Sequence, residues 1–144
     1  MGVPYFKVNE EGLLHFFGPL EANIMDVIWS STSDRVTIKE VQEKIASEHE
    51  ISFNTVMTVM NRLVEKGHLL KTPHPNNKKI TYFHAVFTKD EFIHKQTGSV
   101  TQMLFKDFED HTVTHMIDAL NDVDYELLKK LEKKLAEIKN RREP

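Results

Sequence analysis

The sequence predicts a mostly α-helical protein with one small β-hairpin, and three observations carry that expectation. Residues 52–67 read as a capped helix with a glycine stop: Ser52 opens it, Phe53–Lys66 form it and Gly67 ends it. Directly afterwards, His68–Thr72 leads through Pro73-His74-Pro75-Asn76-Asn77-Lys78-Lys79 into Ile80–Ala85, a hairpin with a polar, basic loop. From Thr88 onward the pattern is helical, with long apolar stripes.

Taken in order, the chain opens with a loose extension over residues 1–17. Pro19 then suits the first position of a helix, because its missing N–H has no intrahelical partner there anyway. Leu20, Ile24, Val27 and Ile28 share one face of this helix, with Met25 and Trp29 at the edges. Arg35-Val36 can form a very short strand, and Thr37-Ile38-Lys39-Glu40 matches a capping box. That box opens a helix to about Glu48, with Ile38, Val41 and Ile45 inward. On the next helix Val56, Val59 or Met60, and Leu63 face the core, which leaves Asn54, Thr55, Thr58, Asn61 and Arg62 largely outward. Helix, helix, turn, helix and a two-stranded hairpin is the winged helix-turn-helix order, expected over residues 18–87.

Residues 88–144 read as a helical dimerisation segment. Thr88-Lys89-Asp90-Glu91 is a second capping box, followed by Phe92, Ile93, Val100, Met103, Leu104 and Phe108 on a long helix weakened at Gly98. Glu109-Asp110-His111-Thr112 should bend it, before Val113, Met116, Ile117 and Leu120. Asn121 or Asp122 is expected to cap a last helix carrying Leu128, Leu131, Leu135 and Ile138, with Val123 and Leu127 beside them. These stripes are too extensive for a small winged domain to cover, so Val100, Leu104, Phe108, Val113, Ile117, Leu128, Leu131, Leu135 and Ile138 are expected to meet a second copy.

The outward face of Phe53–Lys66 has the chemistry of a DNA groove reader. Asparagine can bond adenine N6 and N7, threonine methyls can pack on thymine, and Arg62 is placed for the backbone. Lys78 and Lys79 would lie along phosphates. The whole chain carries a net charge of −3, but residues 62–88 hold Arg62, Lys66, Lys71, Lys78 and Lys79 against Glu65 alone. Charge acts locally, over a screening length of about 8–10 Å. The bland alternative is a wet helix face and an ordinary solvated hairpin. A second class of function, a winged-helix module that binds protein, would favour Trp, Tyr or Arg anchors, and only Phe53 offers anything comparable.

With no cysteine there is no disulfide, thiolate metal site or cysteine nucleophile. No Ser-His-Asp order, phosphate-binding glycine loop or HExxH motif is present, so no enzyme and no cofactor is expected. His111 and His115 have metal-ligand spacing near Asp107 and Asp118, but two histidines with carboxylates read better as exposed helix residues. The first residues make a poor leader, Gly2 lacks the Ser or Thr at position 6 that acylation needs, and no membrane span is expected. The cytoplasm is the default.

The stretch Gly18-Pro19-Leu20-Glu21 through Ile28-Trp29, followed by Ser52-x-x-Thr55-Val56-x-Thr58-x-x-x-Arg62-Leu63-x-x-Lys66-Gly67, resembles the penicillinase-repressor (BlaI/MecI/CopY) family. The similarity runs from about residue 18 to 142. It implies a homodimeric winged-helix repressor on palindromic operator DNA, lifted off by an inducing event, with Thr55 and Thr58 where family members meet DNA. Two features depart from that pattern. The chain lacks the cysteines of the copper-responsive members. It also has no Asn-Phe bond of the kind cut in β-lactam-responsive members; the nearest region reads His115-Met116-Ile117-Asp118-Ala119-Leu120. A regulatory protease acting at another bond remains a candidate partner.

Overall fold

The computed structural model describes residues 5–143; the leader and acylation readings at residues 1–4, and the last residue of the C-terminal segment, lie outside that range. The helices are α1 (Pro19–Ser30), α2 (Ile38–Ala46), α3 (Phe53–Glu65), α4 (Lys89–Ala119) and α5 (Tyr125–Arg142). Strands β1 (Leu69–Pro73) and β2 (Thr81–Ala85) pair antiparallel, with Leu69 opposite Ala85 and Pro73 opposite Thr81. Val36 adds a single bridge to Phe83, which is the short strand read at Arg35-Val36. This is the predicted mostly helical fold with a small hairpin.

Local chemistry sets the helix ends. Thr37 Oγ1 accepts from Glu40 N, and Glu40 Oε1 accepts from Thr37 N, so two orphan donors of α2 are satisfied reciprocally. The same exchange joins Thr88 and Glu91 at the start of α4. Ser52 Oγ caps α3 through Thr55 N. At the other end of α3, Gly67 takes a φ of +84°, while His68 N donates to Leu63 O and Gly67 N to Val64 O. That double closure needs a left-handed residue, which glycine enters without a Cβ penalty.

The chain divides into two compact units, one through Ser99 and one from Val100. In the first, Ile24, Met25, Val41, Val56, Met60, Leu63, Leu69 and Phe83 close a single core. Three sequence readings change here. The described residues before Pro19 are not loose: Phe17 is 1% exposed and stacks on Phe92 at 5.1 Å, and Lys7 N and Nζ donate to His15 O and Phe17 O. Met25 is fully buried, whereas Leu20 and Val27 sit at the edge. The stripe is centred one position further round because Glu21 lies inside it. Burial alone would raise the Glu21 carboxyl. The Lys66 ammonium at 2.7 Å, the Gly18 N–H and the charge of Arg62 outweigh burial and hold it below its ordinary value. Finally, the first turns of α4 pack with the winged unit through Phe92 and Gln96, beyond the boundary read at 87/88.

His68 was not singled out by its sequence context, yet it is 3% exposed, edge-on to Phe17 and Phe92, and its Nε2 has no hydrogen-bond partner among the described residues. Burial, then the Lys66 charge, push its pKa below the ordinary value, with Glu21 opposing. Folded His68 therefore resists protonation and the unfolded chain takes up the proton first. Stability should fall as pH drops below about 6.5, the unfolded value, and stop falling through this group below the depressed folded one. Urea midpoints at pH 7.5 and 5.5 test this: His68→Gln, which cannot titrate, should show a smaller pH dependence than the parent. An equal dependence in both would mean that His68 does not drive it.

In the second unit no described residue is buried. Helix α4 is interrupted at Phe108, whose φ of −138° and ψ of 46° are not helical, and Thr112 Oγ1 caps the break by donating to Leu104 O. The bend read at Glu109–Thr112 thus falls one residue earlier. Gly98 does not break the helix. The last helix is capped by Asp124, not by Asn121 or Asp122, because Leu120–Asp122 form a 3-10 turn and the Asp124 carboxylate accepts from Glu126 N at 2.7 Å.

Candidate nucleic-acid interface

Helix α3 buries Val56, Val59, Met60 and Leu63, and this fixes what its other side shows. Asn54, Thr55, Thr58 and Arg62 are exposed. Their hydroxyls are locally engaged: Thr55 Oγ1 lies 2.8 Å from Ser52 Oγ, and Thr58 Oγ1 donates to Asn54 O at 2.9 Å. The threonine methyl groups and remaining lone pairs are what this face offers a partner. Asn61 differs. It is half-buried, its amide nitrogen donates to Met57 O, and its oxygen accepts from Lys71 Nζ at 3.0 Å. That bond ties β1 to α3.

The hairpin loop runs from His74 to Ile80 and is set by short local bonds. Asn76 N donates to His74 Nδ1, Lys79 N to Asn77 Oδ1, and Ile80 N to Asn77 O. These bonds hold the loop as an asparagine-centred turn from which exposed Lys78 and Lys79 extend without an ion pair among the described residues. The basic cluster counted in the sequence is therefore not uniform, since Lys66 is tied to Glu21 and Lys71 to Asn61.

Sequence reasoning missed one cation. The Arg35 guanidinium lies 4.2 Å from the centre of the Tyr82 ring, and His74 stacks on the same ring at 5.2 Å. Arg35 precedes the Val36 bridge to Phe83, so the bridge carries it to β2, 47 residues away in sequence. An exposed arginine beside a β-branched residue is a weak signal alone; only the pairing with Phe83 places it by the wing.

The expected dimer residues all lie on the second unit. Leu104, Phe108, Val113, Ile117, Leu128, Leu135 and Ile138 are exposed, with Phe108 at 55% and Ile117 at 61%, and Val100 and Leu131 are half-exposed. Among the described residues no three His, Asp or Glu side chains are arranged to hold a metal, so His111 and His115 gain no further ligand. No described helix is long and apolar enough to cross a membrane.

Comparison with known proteins bears on this arrangement. A transcriptional regulator BlaI of Mycobacterium tuberculosis is 37% identical over 54 residues, which is 38% of each chain. The match thus spans well under half the length of that relative. Among solved structures, the adhesin competence repressor AdcR of Streptococcus pyogenes is similar with a TM-score of 0.44 and 16% identity, over 89% of this chain and 84% of that one. FabT of Streptococcus pneumoniae, solved in complex with DNA, gives 0.43 and 19%, over 90% and 78%. Likenesses that loose carry no weight. The decisive match is broader: residues 17–137, from the buried Phe17 into α5, fit the family described as Penicillinase repressor, a family of repressors and not of enzymes. The chain belongs to the penicillinase repressor family.

Proposed function

We propose that this protein is a homodimeric transcriptional repressor that sits on palindromic operator DNA. The observation that carries the reading is the exposed polar face of α3 beside a loop whose two lysines form no ion pair among the described residues. Asn54, Thr55 and Thr58 face the major groove, Arg62 and the wing lysines Lys78 and Lys79 meet phosphates, and Arg35 adds charge beside the wing. Asn61 reaches DNA only by giving up its bond to Lys71. A second copy covers the apolar side chains of residues 100–143, none of which is buried within the chain. Two-fold symmetry then presents two α3 helices to two half-sites. Release acts through the break at Phe108 and the helix up to Leu120, where a regulatory protease or another inducer would uncouple the half-sites.

Genome-wide mapping of the bound protein supplies the operator, and two sets of variants then separate the roles. Lys78→Ala with Lys79→Ala should weaken binding to operator and random duplex alike, and flatten the salt dependence by about 0.9 in log–log slope per lost phosphate contact. Thr55→Ala or Thr58→Ala should instead narrow the gap between the two duplexes. Equal losses on both duplexes for all of these changes would contradict base reading by the threonines.

A further inference from the structure

Between the start of α2, the outer part of α3 and the wing lies a cavity of about 410 Å³. That is within the size range of small-molecule sites. Ile38, Phe53, Met57 and Ile80 supply apolar walls, and Phe53, the first residue of α3, is 44% exposed. Lys39, Lys71 and Lys79 also line the cavity, and no lining residue is acidic. Phosphate on DNA would use the lysines and leave the apolar walls in water. A flat apolar body carrying one negative charge satisfies both.

We propose that this cavity is an effector site for a small aromatic carboxylate, and that its occupancy opposes DNA binding. The coupling rests on the DNA-binding reading above and follows from shared residues. Lys79 is both a cavity residue and a wing cation, and the Asn61–Lys71 bond that ties β1 to α3 joins two cavity residues. A carboxylate bound there neutralises charge that phosphate would otherwise meet, and competes for the Lys71 ammonium that holds the wing. By linkage, DNA must weaken the carboxylate as much as the carboxylate weakens DNA.

The test uses the full chain and 2-naphthoate, with uncharged 2-naphthamide as control. Calorimetry should show one saturable site per chain, at least tenfold weaker for the amide. Backbone amide shifts in NMR spectra should gather at residues 37–39, 53–61, 71 and 79–83. Ile80→Trp, which fills the cavity, and Phe53→Ala, which removes a wall at an exposed position, should each weaken binding at least tenfold. Saturating naphthoate should lower affinity for a random-sequence duplex at least fivefold at low salt. The site is overturned if naphthoate does not saturate at millimolar concentration, if Phe53→Ala binds it unchanged, or if the shifts fall within residues 100–143. Shifts at the cavity with duplex but not with naphthoate would likewise assign the lysines to phosphate alone. Binding at the cavity with no effect on duplex affinity overturns the coupling. A protein that binds no duplex at all would defeat the repressor reading, while the naphthoate measurements would still decide the cavity.

Discussion

Phe17→Ala should destabilise the winged unit by about 3–5 kcal/mol, as removal of a fully buried phenylalanine does. The ring is 1% exposed, stacks on Phe92 at 5.1 Å and meets the edge of His68 at 5.2 Å. Its loss leaves a cavity where the segment before α1, the start of β1 and the first turns of α4 converge. None of these can collapse freely, because His68 is held by backbone bonds to Leu63 and Val86. Urea unfolding of the parent and the variant checks the figure, and a loss below about 1 kcal/mol, the scale of an ordinary surface change, would show that residues 5–17 do not belong to the core. The same change should leave the polar face of α3 intact, since the rings that Phe17 meets, Phe92 and His68, lie outside α3. Operator affinity per folded molecule should therefore persist.

Leu128→Asp with Leu131→Asp should abolish the dimer and lower operator affinity by about 10²–10⁴-fold. The factor is the one lost when two linked half-site contacts become independent. The physical cause is the cost of burying two carboxylates in an apolar seam. Both positions lie on α5, Leu128 exposed and Leu131 half-exposed, so the free chain tolerates the charge and the winged unit remains folded. Sedimentation at micromolar concentration reads the assembly, and binding to a full operator against a half-site reads the coupling. A parent protein that sediments as a monomer, or a monomeric variant that keeps full operator affinity, would remove the dimer from the mechanism.

The residues expected to read DNA were accessible to periodicity because α3 is regular and its buried positions are all aliphatic or Met. Once Val56, Val59, Met60 and Leu63 face inward, helical geometry leaves Asn54, Thr55, Thr58 and Arg62 outside. Which lysines stay available was not accessible that way. Lys66, Lys71, Lys78 and Lys79 are alike in sequence, yet the first answers a glutamate 45 residues away and the second an asparagine on the neighbouring helix. Arg35 shows the reverse, an unremarked cation brought to the wing by one bridge.

The sequence by itself determined what depends on neighbours within one or two helical turns. Thr37 with Glu40, Thr88 with Glu91, Ser52 at the head of α3 and Gly67 at its end all act on backbone groups two to four residues away, where spacing alone decides the partner. Only the tertiary structure decided the standing of Phe17, Glu21, His68 and Gln96, all buried against the expectation for their position or type. Counting apolar residues along a helix assigns a glutamate to solvent, because an unpaired buried carboxylate is too costly. Glu21 can lie inside because Lys66 arrives from the end of α3 to pair with it at 2.7 Å. That meeting, like the gathering of Ile38, Phe53, Met57 and Ile80 around one cavity, exists only after segments distant in sequence have packed.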